Sequence, residues 1–200
     1  MKADMGMKLK AVLPQEFYLG DPAYVAKKLL GKVLCRVYQG KILAGVIVET
    51  EAYYGKIDPA SRAYRSNGDL TKTLYGDVGK AIVYGVHGKW LFNVVAHLPG
   101  EGGGVLIRAL EPIMGIGEMK KLRGVENVFE LTNGPGKLSQ ALAINKSFHK
   151  IPVYLESSPI TIRMGLEVND IAESFRIGVT KDLPTPLRFY VRGSRFVSKP

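Results

Sequence analysis

The sequence contains few of the residues that build disulfides and metal sites. Its 200 residues include one cysteine, one tryptophan and three histidines. The lone Cys35 excludes an internal disulfide and a site built from several thiolates, and His87, His97 and His149 lack the spacing typical of metal ligands. We therefore expect no bound metal, and the use of cysteine is typical of an intracellular protein.

Long hydrophobic runs are also missing. The longest apolar run, Ile42–Val48, is far shorter than the roughly 20 residues of a membrane span, and the first residues lack the apolar centre of a signal peptide. Hydrophobic residues make up 46% of the chain and charged residues 23%, which is typical of globular proteins. We expect one domain over residues 1–200, with a loose N-terminal segment at 1–12 and no membrane association.

Positive charge is what the sequence has in excess. Lysine and arginine total 28 against 18 acidic residues, for a net charge of +10 and a pI near 9.6. Both halves of the chain are basic, so the charge belongs to the folded body rather than to a tail. This balance is typical of a protein that binds a polyanion such as DNA, although a merely basic soluble protein has the same composition.

The pattern of apolar residues and turn signals predicts an α+β fold. We expect helices at 22–31 (capped by Asp21), Pro112–Leu122 and Pro135–Leu142. Strands are expected at Val33–Tyr38, Lys41–Glu51, Gly79–Val86, Lys89–Ala96, Val105–Leu110, Ile160–Met164, Phe175–Val179 and Leu187–Val191. The first four form two hairpins, turning at Gln39-Gly40 and His87-Gly88. Short connections and the absence of a βαβ order favour a curved, open-barrel-like antiparallel sheet flanked by helices.

One strand carries a candidate catalytic group. In Val48–Tyr53, side chains alternate along the strand, so Glu49, Glu51 and Tyr53 share a face. Two acids beside an apolar run need a cation or a functional role. Arg108, in an apolar strand, is a suitable partner for Glu51 or Glu49. The pattern does not decide between them, nor between a structural ion pair and a catalytic one, and a solvated strand end is the alternative.

The second predicted hairpin gathers aromatic and polar residues. Tyr84 is either a core tyrosine or a platform on which a base stacks. His87, at the tip, is either an ordinary turn residue or a wedge that enters a DNA groove.

Five segments together resemble one known family. They are VETEAY (48–53), DPAS (58–61), VLIRALEP (105–112), QALAIN (140–145) and LRFYVRGS (187–194). In this order they closely resemble the alkyladenine (3-methyladenine) DNA glycosylases, over a region from about Leu13 to Ser198. The resemblance is specific because all five segments occur in register.

The resemblance implies a monofunctional base-excision-repair hydrolase without a metal or organic cofactor. Such an enzyme flips alkylated purines (3-methyladenine, 7-methylguanine), and deaminated ones such as hypoxanthine, out of double-stranded DNA. It then hydrolyses the N-glycosidic bond with a water activated by a glutamate. We expect a monomer with no obligate protein partner, in the cytoplasm of a prokaryote or the nucleus of a eukaryote. No lysine lies in the matched catalytic segments, so we expect no AP-lyase activity.

The resemblance also implies residue roles. Glu51 is the general base, and Arg108 helps it hold the attacking water. The other roles are two aromatic walls around the flipped base, a side chain that crowds the amino group of normal guanine, and a backbone carbonyl at the water: Tyr53 and Tyr84, Asn93, and the carbonyl near Val179.

The sequence departs from the family pattern at the hairpin tip and in the base pocket. His87 stands where the family has a tyrosine wedge, Arg62 replaces a common pocket histidine, and Asp69–Thr71 replaces a Pro-Arg-Asn segment. These changes bear on substrate range more than on fold or reaction class. The alternatives are a non-catalytic damaged-DNA-binding protein of the same fold, and a formyltransferase-like or RNA-binding module with a similar open barrel. The enzymatic reading expects Glu51 to face a hollow that admits a nucleoside.

Overall fold

The computed structural model describes residues 9–199. Residues 1–8, which make up most of the predicted loose segment, and residue 200 lie outside the described residues. Residues 11 and 12 run beside a later strand, where the Met164 N–H donates to the Ala11 carbonyl at 2.8 Å and Val12 forms a β-bridge with Arg163.

The described chain is built from one antiparallel sheet and short helices, so the predicted α+β class is confirmed. The strands are β1 Val33–Tyr38, β2 Lys41–Tyr54, β3 Ala81–Val86, β4 Lys89–Val95, β5 Gly103–Met114, β6 Ile160–Arg163, β7 Ile171–Ser174 and β8 Arg188–Val191. The helices are α1 Pro22–Leu29, α2 Asp69–Leu74, α3 Ile116–Arg123 and α4 Pro135–Ala141, with 3₁₀ turns at Gln15–Tyr18, Val128–Glu130 and Lys146–Phe148. Within residues 9–199, every helix is too short or too polar to cross a membrane.

The sheet is a curled half-barrel centred on the long strands β2 and β5. Its main order is β3-β4-β5-β2-β1-β6. The other edge of β2 changes partner along its length, because residues 41–46 pair with β1 whereas residues 49–51 pair with β8. Strand β7 then pairs with β8. This branch brings residues near position 188 against the middle of β2.

The first helix and both predicted hairpins are confirmed. The Asp21 carboxylate caps α1 by accepting hydrogen bonds from the backbone N–H groups of Ala23 and Tyr24. The turn between β3 and β4 places His87 at φ +48° and Gly88 at φ +72°. Two successive positive φ angles are what a tight turn matching the strand twist requires.

Two expectations about secondary structure need correction, and one helix was missed. The helix predicted at 112–122 begins only at Ile116, because β5 continues through Pro112 to Met114 before Gly115 (φ +72°) ends it. The strand predicted at 175–179 is wrong: β7 ends at Ser174 and the following residues form a loop. Helix α2 was not predicted.

The core lies between the sheet and the helices. Large side chains that are fully buried come from the central strands, among them Ile47, Phe92 and Ile107. Helix α1 packs so closely on β5 that a Cβ on Gly103 would lie 2.6 Å from the Pro22 ring. Burying such side chains contributes about 1.5–3 kcal/mol each, and the resulting rigid sheet is the platform for the candidate site.

Candidate active site

The central strand pair is irregular where the two predicted acids lie. Ile47 pairs with Leu110 and Glu51 pairs with Leu106, and these two pairs share one register. Between them, Glu49 pairs with Ala109, which is shifted by one residue from that register. Val48 on β2 and Arg108 on β5 are therefore the extra residues of two bulges that cancel. Because a bulge re-aims the side chain it carries, Arg108 can reach both acids.

Glu49 is an anchor for two arginines. Its Oε1 accepts hydrogen bonds from Arg108 Nε at 2.9 Å, Arg188 Nε at 2.7 Å and Ser198 Oγ at 2.8 Å. Its Oε2 accepts one from the Ser198 backbone N–H at 2.6 Å. The carboxylate is fully buried, so these partners replace the water it has lost.

Glu51 is equally buried but holds fewer charged partners. Its Oε1 accepts a hydrogen bond from the Ile177 backbone N–H at 2.7 Å, and its Oε2 accepts one from the Tyr53 hydroxyl at 2.8 Å. Arg108 Nη1 lies 3.2 Å from Oε2. Burial raises the pKa of Glu51, and Arg108 only partly offsets this effect.

The two acids therefore occupy different environments although they are two residues apart. Arg108 contacts both of them, which answers the pairing question that the sequence left open. Glu49 is shared by two guanidinium groups, whereas Glu51 is paired with one of them. Environments that separate two carboxylates in this way allow one to serve as anchor and the other to exchange a proton.

Four residues predicted for the base pocket line one cavity beside Glu51. The cavity walls are Tyr53, Arg62, Tyr84 and Asn93, together with Ala60, Ser61, Leu70, Leu74, Ile82 and Gly104. The Asn93 side chain is buried, and its Nδ2 donates to the Ile82 carbonyl at 3.2 Å. This bond fixes the orientation of the amide in the pocket wall.

The cavity is much smaller than the hollow expected from the sequence, which had to admit a nucleoside. Its volume is about 20 Å³, which is room for one water and not for a purine. The Glu51 carboxylate is fully buried and is joined to a cavity wall through the Tyr53 hydroxyl. The expectation of an open hollow is therefore wrong for this structure: a base enters only if side chains in the wall move.

Arginines stack on both tyrosines of the cavity wall, and one of them, Arg62, also lines the cavity. The Arg62 guanidinium carbon lies 4.9 Å from the Tyr84 ring centroid, and that of Arg176 lies 4.5 Å from the Tyr53 centroid. Guanidinium groups stack favourably on aromatic rings. Burial raises the pKa of both Tyr53 and Tyr84, so both phenols stay neutral at ordinary pH.

Arg176 is a site residue that the sequence analysis missed. Its guanidinium donates two hydrogen bonds to Asp58, at 2.6 and 2.8 Å, and two to Asp182, at 2.9 and 2.5 Å. It also donates to the Ala52 carbonyl at 2.9 Å. The segment DPAS, which begins at Asp58, marked one end of this network, but nothing local marked its partner 118 residues later.

The remaining predicted residues lie in a loop and at a hairpin tip. Val179 is half-buried in the loop after β7, and the member of that loop that hydrogen-bonds Glu51 is Ile177. A role for the Val179 carbonyl stays a prediction. His87 is exposed at the tip of the β3–β4 hairpin, a position open to a large partner.

The side chains around Glu51 are described best by the chemical groups that they bring together. Among residues 9–199, no group of three or more His, Cys, Asp or Glu side chains could hold a metal ion. The chemical groups that this site does bring together are a buried carboxylate, a paired guanidinium and two neutral phenols.

Comparison with known proteins points to one family. A sequence description of the methylpurine-DNA glycosylases matches residues 16–195. A protein of Aeropyrum pernix is 42% identical over 191 residues, covering 94% of this chain and 93% of the relative. Proteins of Carboxydothermus hydrogenoformans and Methanoculleus marisnigri are each 40% identical, over 94% of this chain and 99% and 98% of their own lengths. All three are provisionally named 3-methyladenine DNA glycosylases.

Proposed function

This chain belongs to the methylpurine-DNA glycosylase family, and we propose that it hydrolyses the N-glycosidic bond of damaged purines in double-stranded DNA. The observation that carries the proposal is the Glu51 carboxylate. It is buried, paired with Arg108 at 3.2 Å and hydrogen-bonded to Tyr53 in the wall of an aromatic cavity.

The proposed reaction is attack of water on the sugar carbon that bears the base. Glu51 accepts a proton from the water, the water oxygen bonds to C1′, and the electron pair of the C1′–N bond leaves with the base. The products are a free base and an abasic site. Because the sugar develops positive charge as this bond breaks, the ionised Glu51 carboxylate also stabilises the transition state.

In this scheme Arg108 orients the general base, Glu51, and the attacking water. Its Nε is held by Glu49 at 2.9 Å, while its Nη1 lies 3.2 Å from Glu51. Glu49 thereby fixes the orientation of the guanidinium, and both residues are buried. The Val179 carbonyl is the third group that we assign to the water, because its loop already contacts Glu51 through Ile177.

The pocket walls select the base. A purine inside a duplex is out of reach of Glu51, so the nucleotide must flip out at a cost of a few kcal/mol, which is lowest for damaged or mispaired bases. We assign stacking to Tyr53 and Tyr84, which line the same cavity. Asn93, whose amide is fixed by the Ile82 carbonyl, is placed to crowd the amino group of normal guanine.

The substrates that we assign are 3-methyladenine, 7-methylguanine and hypoxanthine. The two methylated bases are cationic in the nucleotide and electron-poor, which makes them good leaving groups, and cations on aromatic rings gain about 0.5–2 kcal/mol. We assign no AP-lyase activity, because the residues that contact Glu51 include no lysine that could form a Schiff base.

DNA is the partner that charge and family indicate. The chain carries a net charge of +10, which favours binding to phosphates by releasing condensed counterions. We assign the role of wedge to His87, exposed at the hairpin tip, and we propose that a monomer suffices for activity.

A second candidate function is recognition of damaged DNA without turnover. The feature that favours it is the closed cavity of about 20 Å³, with Arg62 over Tyr84. One experiment separates the two functions: excess protein is incubated with duplexes that carry a single 7-methylguanine or hypoxanthine, and the free base is quantified. Release of base supports the glycosylase. Tight, lesion-specific binding without release supports the sensor.

A further inference from the structure

Arg62 reaches into the base pocket from a firmly anchored stretch of backbone. It lies between Ser61 and Ala63, both buried, in the loop that joins β2 to α2. The Ser61 N–H donates to the Asp58 carbonyl at 2.9 Å, and Asp58 is itself bound by Arg176. The side chain of Arg62 can therefore change rotamer, but its attachment point stays at the rim of the cavity.

The guanidinium stands on the surface that an incoming base needs. Its carbon lies 4.9 Å from the Tyr84 ring centroid, and the residue lines the cavity together with Tyr53. Because the cavity holds about 20 Å³, a purine that stacks on Tyr84 must push the guanidinium aside. The displaced group then borders the edge of the base.

Among the residues that line the cavity, the charged one is Arg62. Within residues 9–199 it forms no salt bridge. Glu51 is paired with Arg108, and Asp58 and Asp182 share Arg176. A base that enters the pocket therefore meets a guanidinium without a carboxylate partner in the cavity wall.

We propose, on the basis of the function proposed above, that Arg62 is a specificity-determining residue that favours neutral purine lesions with a carbonyl oxygen over cationic N-alkylpurines. Hypoxanthine is neutral, and its O6 and N7 can accept hydrogen bonds from a guanidinium. In 7-methylguanine the alkylated N7 can no longer accept, and the base carries a positive charge that the guanidinium repels. The stacking gain of a cationic base on Tyr84 is therefore offset by a second cation at the rim.

The test compares two lesions in one duplex sequence. Single-turnover rates of base release are measured for hypoxanthine and for 7-methylguanine with the wild-type protein and with Arg62→Gln and Arg62→Lys. The matched control is Arg65→Gln, since Arg65 lies in the same loop and stacks on exposed Tyr64 at 5.7 Å, away from the cavity lining. The quantity of interest is the ratio of the hypoxanthine rate to the 7-methylguanine rate.

The expected result is a loss of preference for the neutral lesion. Arg62→Gln should lower the ratio about tenfold, as expected for removing one of two like charges within a few ångströms at a partly exposed rim. Arg62→Lys should retain most of the wild-type ratio because it keeps the charge, and Arg65→Gln should leave the ratio unchanged. The proposal is overturned if Arg62→Gln changes both rates equally, if Arg62→Lys shifts the ratio as far as Arg62→Gln, or if Arg65→Gln has the same effect.

Failure of the proposed function gives a different result. If the wild-type protein releases neither base, the glycosylase assignment fails, and the same duplexes are then used for equilibrium binding by fluorescence anisotropy. A ratio of dissociation constants that favours hypoxanthine in the wild type and is lost in Arg62→Gln supports the role of Arg62. Equal ratios in the two proteins overturn it.

Discussion

Replacement of Glu51 by glutamine removes the charge of the proposed base with almost no change of shape. The amide oxygen can still accept the hydrogen bond from the Ile177 N–H, which is 2.7 Å long in the wild type. Arg108 keeps its hydrogen bond to Glu49 at 2.9 Å and one to Ser198 Oγ at 3.2 Å. The guanidinium is therefore not left as an unpaired buried charge, and the fold should survive.

The expected loss of activity is large. General-base catalysis contributes about 10²–10⁴-fold to a rate, and the variant also loses the carboxylate that faces the developing positive charge on the sugar. We expect a single-turnover rate of base release at least about 10³-fold below that of the wild type. Binding to the lesion duplex should be largely unchanged, because the amide alters no wall of the cavity.

The same substitution has a predictable effect on stability. In the folded protein the pKa of Glu51 is raised by burial above its usual 4.5. The contribution of this group to stability is therefore fully present below pH 4.5 and is lost as the pH rises through the raised value. Thermal unfolding followed by circular dichroism from pH 4 to 8 should show Glu51→Gln gaining in Tm relative to the wild type as pH rises.

Glu49→Gln is the comparison variant for the effect on stability. Glu49 holds both Arg108 and Arg188, so its loss should lower stability by about 3–5 kcal/mol, as for other broken buried ion pairs. The role of Glu51 as base is refuted if Glu51→Gln retains a rate within about tenfold of the wild type while binding the lesion normally.

Three further predictions concern pH, the wedge and the pocket wall. On the acidic side of the pH profile, the wild-type rate should fall about tenfold per pH unit. This fall should begin above pH 4.5, because the pH must exceed the raised pKa of Glu51 for that group to act as base. A rate that stays unchanged from neutral pH down to pH 4.5 contradicts this. His87→Gly keeps the positive φ of the turn and should weaken binding to lesion duplexes more than to undamaged DNA in anisotropy titrations; equal losses would make His87 an ordinary turn residue. Arg176→Leu strands the buried Asp58 and should cost about 3–5 kcal/mol in urea unfolding, whereas Arg192→Leu, in an exposed pair, should cost under about 1 kcal/mol; similar costs would contradict the buried network.

Local signals in the sequence were sufficient for much of the fold. The proline after Asp21 and the turn at His87-Gly88 each carry their own backbone preference, and the helix and hairpin they predict are present. The predicted pocket residues Tyr53, Tyr84 and Asn93 also line one cavity. Tyr84 and Asn93 lie on the paired strands β3 and β4, and β5 separates them from Tyr53 on β2; it was the family resemblance that predicted a shared pocket.

Features that depend on distant contacts could not be predicted. Residues 175–179 have the composition of a strand, but they form a loop whose Arg176 guanidinium binds Asp58 and Asp182. Arg188 and Ser198 reach Glu49 across 139 and 149 residues. The closed cavity was also missed, because the stacking of Arg62 on Tyr84 depends on how the loop between β2 and α2 packs against β3.

The paired bulges at Val48 and Arg108 change the course of the two central strands locally and leave the register of the rest of the ladder unchanged. Since the two irregularities cancel, Ile47 still faces Leu110 and Glu51 still faces Leu106. Deleting either extra residue alone would turn half of the central ladder inside out. Deleting both would leave a regular β2–β5 ladder without the guanidinium that contacts Glu49 and Glu51.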